Sequence, residues 1–237
     1  GQLLLSCGTS WVVFVPINEK ETVIRERLLC DPFETMRGGA WGGMFSLESV
    51  AGKIDKIVTK YVSSAPNRAK HFDAAAEQAE PGCGGLVIDP TEDADRDFSA
   101  CEPKNVARAL MEGTARLLKD RLDALAESSG LRFSSAAMAG GPSNSKIWRK
   151  IIEETLGYEV NVSYAAHTGA LGAARVARGK CSPVSAKEHW RGESCERKVT
   201  ACERQGALAR RGGIDSGEFV PNLYFLISEV SSIICLI

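Results

Sequence analysis

An apolar stripe between Pro103 and Gly130 is the feature that most constrains the fold of this chain. The stripe recurs at helical spacing, and its members are Val106, Leu110, Gly113, Leu117, Leu118, Leu122 and Leu125. Gly130 stands where a left-handed glycine commonly ends a helix. The pattern therefore predicts one long central helix.

The composition of the 237 residues is that of a globular protein. With 44% hydrophobic and 25% charged residues, the chain can bury a sizeable core as one large domain or a domain plus an appendage, which excludes disorder and collagen. Lys and Arg number 29 against 30 Asp and Glu, a net charge of -1. Because no broad basic field is present, we expect no nucleic acid partner and no membrane partner.

The cysteines and the C-terminal stretch point to an ordinary cytoplasmic protein. Eight cysteines are scattered without C-x-x-C pairs, and no signal peptide precedes them, which predicts reduced thiols and a cytoplasmic location. The spacing of Cys195 and Cys202 is wrong for a zinc ribbon, so no metal site is predicted. Residues 224–237 are apolar but too short for a membrane helix and include Glu229, so a docking strand or helix is expected.

Three β-rich runs ahead of the central helix predict an antiparallel meander. They are residues 3–5, 11–16 and 21–29, with Gly8-Thr9-Ser10 at the first turn. A glycine cluster over residues 37–43 predicts a flexible loop, followed by an amphipathic helix that starts at Ser46. Residues 85–88 predict a short buried strand.

Strands and helices alternate behind the central helix. Residues 133–138 predict a strand that turns sharply into a helix with Ser143 as its N-cap and Gly157 as its end. Residues 159–162 predict another strand, and residues 168–178 an alanine-rich helix. The succession is βββαβαβα. The charged stretch over residues 180–220 predicts a weakly structured tail.

Two glycine turns carry the candidate chemistry. Gly8-Thr9-Ser10 offers backbone N–H groups and two hydroxyls that suit phosphate oxygens. Gly140-Gly141-Pro142-Ser143-Asn144 joins a strand to a helix N-terminus, where a flat ring or an anion can approach bare backbone. Neither turn is a dinucleotide fingerprint or a Walker loop. For each turn taken alone, an ordinary connection is the alternative.

Taken in order, these pieces resemble the C-terminal domain of the FGGY carbohydrate kinases, the xylulokinase and glycerol kinase group of the actin-like ATPase superfamily. The matching motifs are Ser6-Cys7-Gly8-Thr9-Ser10, the glycine-rich loop before Ser46-Leu47-Glu48, Pro81-Gly82-Cys83-Gly84-Gly85-Leu86, Arg108-Ala109-Leu110-Met111-Glu112-Gly113, Gly140-Gly141-Pro142-Ser143-Asn144-Ser145-Lys146-Ile147-Trp148 and Gly169-Ala170-Leu171-Gly172-Ala173-Ala174. The resemblance implies an α/β, ribonuclease H-like fold with a mixed five-stranded sheet in βββαβαβα order, flanked by helices.

The same resemblance implies an ATP-dependent sugar kinase. In that family this domain binds ATP with Mg²⁺, and a preceding domain binds the sugar or polyol and carries a catalytic aspartate, which would lie before Gly1. We therefore expect residues 1–179 to be the ATP-binding domain and residues 180–237 to be a tail outside the resemblance.

No catalytic base is expected within the chain, since Asp31, Asp89 and Asp95 are explained as loop acids. The expectation is an inactive half of a kinase, present as a fragment, a truncated product or one piece of a longer protein. A non-catalytic actin-like interaction module is the alternative. The identity of the sugar and the oligomeric state stay open, with a homodimer among the alternatives.

The resemblance also implies the nucleotide contacts. The β- and γ-phosphates would meet the first turn, Gly43 and its neighbours would border the nucleotide, and the second turn would flank the adenosine. The implied contact residues are Gly8, Thr9, Ser10, Gly43, Gly140, Gly141, Ser143 and Asn144. Three positions depart from the family pattern: Gly43 is displaced by one residue, Ser49 replaces a tryptophan, and Asn144 replaces a common basic residue.

Overall fold

The computed structural model describes residues 1–31, 41–47 and 49–162. The helix predicted over residues 168–178, the tail over 180–220, the segment over 224–237 and the Cys195 and Cys202 pair lie outside the described residues.

One mixed sheet forms the centre of the described part of the chain. Its six strands there are β1 (Gln2–Cys7), β2 (Trp11–Ile17), β3 (Leu29–Asp31), β4 (Trp41–Leu47), β5 (Ser135–Gly140) and β6 (Glu159–Val162). They lie in the order β3-β4-β2-β1-β5-β6. The β1–β2, β2–β4 and β3–β4 pairs are antiparallel, whereas β1–β5 and β5–β6 are parallel. The predicted mixed α/β sheet is confirmed, with one more strand than expected.

The helices pack on this sheet around the predicted central helix. They are α1 (Lys20–Arg25), α2 (Val50–Tyr61), α3 (Arg68–Glu77), α4 (Pro103–Ser129) and α5 (Lys146–Leu156). Helix α4 packs against α2, α3 and α5, and its stripe shares one core with the odd-numbered residues of β1 and β2. Gly130 ends α4 with a φ of 73°, and Gly157 ends α5 with a φ of 78°. The predicted glycine ends of both helices are confirmed.

The strand predicted over residues 21–29 is wrong. Residues Lys20–Arg25 form the short helix α1, and the strand begins only at Leu29. The β-branched run Thr22, Val23 and Ile24 favours a strand locally. Only the first two of these side chains are buried, while Ile24 is 63% exposed, so burial follows one side of a helical turn.

The flexible loop predicted for the glycine cluster is wrong for its second half. Trp41–Leu47 is a seven-residue strand between β2 and β3, and α2 begins at Val50 instead of Ser46. A glycine usually weakens a strand because it has no side chain to pack, but at Gly43 neighbouring side chains fill the space that a larger residue would occupy.

The buried strand predicted over residues 85–88 is also absent from the described structure. Cys83–Gly85 forms a 3-10 turn, and the chain continues as irregular backbone across α4. There Gly113 lets the Ile88 carbonyl approach so closely that an ideal Cβ on Gly113 would lie 1.7 Å from that oxygen. Close packing on a helix backbone therefore replaces strand pairing.

A buried ion pair fixes the loop that precedes this crossing. The Arg108 guanidinium, only 5% exposed, donates from Nε to Glu112 Oε1 at 2.8 Å and from Nη1 to the Ala79 carbonyl at 3.2 Å. The same Glu112 oxygen accepts from the Gly82 N–H at 3.2 Å. Each charge thus has a charged partner and a backbone partner, as a buried pair requires.

Candidate nucleotide site

The two predicted turns leave the sheet side by side. Strands β1 and β5 are parallel neighbours, and their last residues, Cys7 and Gly140, are paired in register. Because parallel strands end at the same edge, residues 8–10 and residues 141–144 emerge next to each other. We call them the 8–10 bend and the 141–144 turn. Crevices outside the carboxyl ends of parallel strands are the usual ligand positions in α/β sheets.

Gly140 allows the backbones of β1 and β5 to approach closely at this edge. An ideal Cβ on Gly140 would lie 2.3 Å from the Cys7 carbonyl oxygen, and the residue has φ 98° and ψ -173°. That backbone conformation is essentially restricted to glycine. The geometry of the edge therefore depends on this residue.

The 8–10 bend presents unused donors. Gly8, Thr9 and Ser10 are all exposed and connect Cys7 to Trp11, which pair across the hairpin. Within the described part of the chain, the Thr9 and Ser10 hydroxyls make no hydrogen bond. Two free hydroxyls beside a glycine suit an anionic ligand with several oxygens.

The 141–144 turn is a 3-10 turn whose side chains fold back on it. Ser143 Oγ donates to the Gly140 carbonyl at 2.7 Å, and Asn144 Nδ2 donates to the Gly141 carbonyl at 3.3 Å. An ideal Cβ on Gly141 would have no atom within 4 Å, so its outer side is open. Here Ser143 and Asn144 support the turn, and Gly141 leaves bare backbone beside it.

The prediction that Ser143 caps the following helix is wrong by two residues. Ser145 is the N-cap of α5, and its Oγ accepts from the Trp148 N–H at 3.3 Å. The 3-10 turn takes up the two intervening residues, which strand-to-helix patterning alone does not show.

Burial raises the pKa of the nearby Asp73 carboxyl, while its hydrogen bond with Ser145 acts in the opposite direction and Glu77 adds to the rise.

A third backbone element reaches the same edge, and its position there was not predicted from the sequence. Strand β4 ends at Leu47, which pairs with Trp11 directly after the 8–10 bend, so α2 also starts beside the bend. Its first residue is preceded by Ser49, which is exposed and has a left-handed φ of 54°. Only the identification of residues 41–47 as a strand could have placed this helix start.

The structure does not bring Gly43 together with the two turns. Gly43 pairs with Val15, four residues along β2 from Trp11 and thus about 13 Å from the bend end. It is buried, and an ideal Cβ there would lie 2.7 Å from Ile17 Cδ1 and 2.9 Å from Leu28 Cδ1. Its absent side chain makes room for these two apolar side chains.

The Cys7 thiol and the loop acids Asp89 and Asp95 are accounted for by burial or by partners within the fold. Burial strongly raises the pKa of the Cys7 thiol, which keeps it protonated below the bend. Burial tends to raise the pKa of Asp89, but hydrogen bonds from Thr91 and from backbone outweigh this, and the net shift is downward. Asp95 pairs with Lys56. Within the described residues no group of three or more His, Cys, Asp or Glu side chains could hold a metal ion.

These features define an α/β domain whose mixed sheet gathers two turns and a helix start at one edge. The family model for the C-terminal domain of the FGGY family of carbohydrate kinases matches residues 3–178. The chain belongs to this family, and the resemblance seen in its motifs is confirmed.

Curated relatives match a shorter part of the chain. Autoinducer-2 kinases of Yersinia enterocolitica and Yersinia pestis are 32% identical over 96 residues, which is 40% of this chain and 17% of the length of each relative. The match thus spans about a sixth of the length of these relatives.

Solved structures share the fold at low sequence identity. The chain is similar to glycerol kinase of Plasmodium falciparum with ADP (TM-score 0.60, 18% identity, 90% of this chain and 47% of that one). It is also similar to gluconate kinase of Lactobacillus acidophilus (TM-score 0.61, 16% identity, 76% and 39%) and to xylulose kinase of Rhodospirillum rubrum (0.55, 18%, 69% and 35%). The fold is that of the actin-like ATPases, as predicted.

Across the described ranges, no helix has the length and apolar character needed to cross a membrane.

Proposed function

We propose that this chain is the ATP-binding lobe of an ATP-dependent carbohydrate kinase that transfers the γ-phosphate to a hydroxyl of a sugar or polyol. The observation that carries the proposal is the register of β1 and β5, which sets the 8–10 bend beside the 141–144 turn. One nucleotide can then contact both turns, with its phosphates at one and its adenosine at the other.

The donor set of each turn supports this division. Thr9 and Ser10 supply hydroxyls without competing partners among the described residues, and these suit phosphate oxygens. Gly141 leaves an open backbone surface that suits the flat face of a base. Gly140, Ser143 and Asn144 would then act by shaping this surface. The assignment of Gly43 to the nucleotide border rests on the family resemblance alone.

The turns fit a magnesium nucleotide better than a resident metal. Neither turn contains a carboxylate, and Mg²⁺ is usually held by one or two carboxylates together with substrate phosphates and waters. We infer that Mg²⁺ arrives with ATP, where it would neutralise phosphate charge. The turns themselves bind and orient the nucleotide, which is most of what phosphoryl transfer asks of a protein.

The acceptor and the base belong, in this proposal, to a second domain outside residues 1–179. No carboxylate of the bend or turn could accept the proton of an attacking hydroxyl, and Asp89 and Asp95 already have partners. Residues 180–237 have no assigned part in the reaction. The location is proposed to be the cytoplasm, where ATP and reduced thiols coexist.

Thr9→Ala should weaken MgATP binding by roughly 10- to 150-fold, because a hydrogen bond to a charged group contributes roughly 1.5–3 kcal/mol. Its stability should stay near that of the wild type, since Thr9 is exposed and its hydroxyl makes no hydrogen bond in the described structure. Isothermal titration calorimetry with MgATP measures the affinity, and thermal unfolding checks the fold.

The matched control for this change is Thr59→Ala, an exposed threonine near the opposite end of α2. It should leave the affinity for MgATP unchanged. Equal affinity of the wild type and both variants, or no nucleotide binding by any of them, would favour the non-catalytic interaction module instead.

The 237-residue polypeptide by itself should bind MgATP without phosphorylating sugars or polyols. A coupled assay for ADP, run with a panel of pentoses, hexoses, gluconate and glycerol, measures the turnover. Acceptor-dependent ADP release above the background ATPase rate would contradict the proposal that the base lies outside this chain.

A further inference from the structure

Three buried aromatic rings lie beneath the candidate site. The ring centroids of Trp11 and Trp148 are 5.2 Å apart with an interplanar angle of 55°, and those of Phe72 and Trp148 are 6.1 Å apart at 62°. The three side chains are only 3–5% exposed. Trp148 lies between the other two and makes the tilted contacts that aromatic pairs prefer.

The ring of Trp148 connects the two turns through short links. Trp11 directly follows Ser10, the last residue of the 8–10 bend. On the other side, the Trp148 N–H donates to Ser145 Oγ at 3.3 Å, and the Ser145 N–H donates to the Pro142 carbonyl at 3.0 Å. A movement of the first turn of α5 would therefore move the 141–144 turn and disturb the contact with Trp11.

Strand pairing does not supply this connection. The ladder between β1 and β5 ends at Cys7 and Gly140, so it fixes where the two turns begin and not how they are oriented beyond the edge. Trp11 is on β2, which is separated from β5 by β1. The contact between the two tryptophan rings thus crosses one strand and ties the far side of the bend to α5.

From this geometry we propose that Trp148 is a positioning residue that holds the 8–10 bend and the 141–144 turn at the separation required by one ATP molecule. The inference rests on the proposed function. A ligand that contacts both turns depends on their separation, whereas a ligand that contacts one turn does not. Two linked contacts gain affinity only when the geometry allows both to form together.

The experiment compares ATP with its two halves on the full chain. Affinities are measured for MgATP, for adenosine and for magnesium tripolyphosphate, by ligand-observed proton NMR for the first two and by phosphorus NMR for the last. Trp148→Leu removes both ring contacts and should weaken MgATP on the order of tenfold, while each half stays within about twofold. Trp148→Phe keeps a ring and should give an intermediate loss for MgATP only.

Phe98→Leu is the control for a general loss of packing. Phe98 is 1% exposed and contacts Tyr61, away from the two turns. This variant should lose stability without changing the ratio between ATP and its halves. If Trp148→Leu does not fold, the intermediate effect of Trp148→Phe decides the question.

Different results separate this inference from the function on which it rests. An equal loss for all three ligands, or an unchanged affinity for MgATP in both Trp148 variants, overturns the positioning role while the wild type still binds ATP. Absence of ATP binding by the wild type contradicts the proposed function and removes this inference with it.

Discussion

Gly113→Ala should destabilise the protein by about 3 kcal/mol or more, which for a domain of this size lowers the unfolding temperature by roughly 6–12 °C. An ideal Cβ at position 113 would lie 1.7 Å from the Ile88 carbonyl oxygen and 2.9 Å from its carbonyl carbon. These are main-chain atoms, so no side-chain rotation relieves the overlap. The segment before α4 would have to move away from the helix.

That movement would also disturb the neighbouring ion pair. Arg108 and Glu112 lie in the same helix and hold the loop through Ala79 and Gly82. If the loop moves, the largely buried Arg108 and Glu112 charges lose their backbone partners, which adds to the loss of stability. Ile88, which is completely buried, would lose packing in the same step.

Gly52→Ala is the matched control, because it makes the same change in a helix with open space around it. No atom lies within 4 Å of an ideal Cβ at position 52. Alanine has the higher helix propensity, so this variant should be unchanged or more stable by up to about 1 kcal/mol. Thermal and urea unfolding of both variants measures the difference. Equal stability of the two would mean that the close approach at Ile88 is not a constraint.

At Gly113 and Gly43, the differences between the sequence prediction and the structure have a physical cause. The pattern around Gly113 predicts the helix correctly, because the apolar stripe is a local property of α4. What Gly113 contacts is not local, and the buried Ile88 was therefore assigned to a strand instead of a segment crossing the helix. Gly43 was assigned to a loop because the side chains that fill its place, Ile17 and Leu28, are distant in sequence.

In the candidate site, too, the local features were predictable and the long-range contacts were not. Gly8-Thr9-Ser10 and Gly140-Gly141-Pro142 were recognisable as turns from composition, and the motif order indicated the family. The register that pairs Cys7 with Gly140, and the arrival of α2 beside the bend, depend on long-range strand pairing. No local pattern contains that pairing, so the helix itself was predicted, about four residues early, but its position beside the bend was not.

Gly140→Ala should lower the free energy of unfolding by about 3 kcal/mol, because backbone strain and a steric clash act together. The residue adopts φ 98° and ψ -173°, which a residue with a side chain rarely does. In addition, the new Cβ would lie 2.3 Å from the oxygen and 2.6 Å from the carbon of the Cys7 carbonyl. Relief requires β1 and β5 to separate at the edge where the 8–10 bend and the 141–144 turn begin.

The change should therefore reduce both stability and MgATP binding, whereas Gly141→Ala should leave stability within about 0.5 kcal/mol of the wild type. The two glycines are adjacent, but an ideal Cβ at position 141 meets no atom within 4 Å and the residue has no positive φ. Urea unfolding measures the stability of the pair, and calorimetry with MgATP at a temperature where both are folded measures binding. Wild-type stability of Gly140→Ala would contradict the tight contact between β1 and β5. If a destabilised Gly140→Ala variant kept the nucleotide affinity of the wild type, nucleotide binding would not depend on how the two turns leave the sheet.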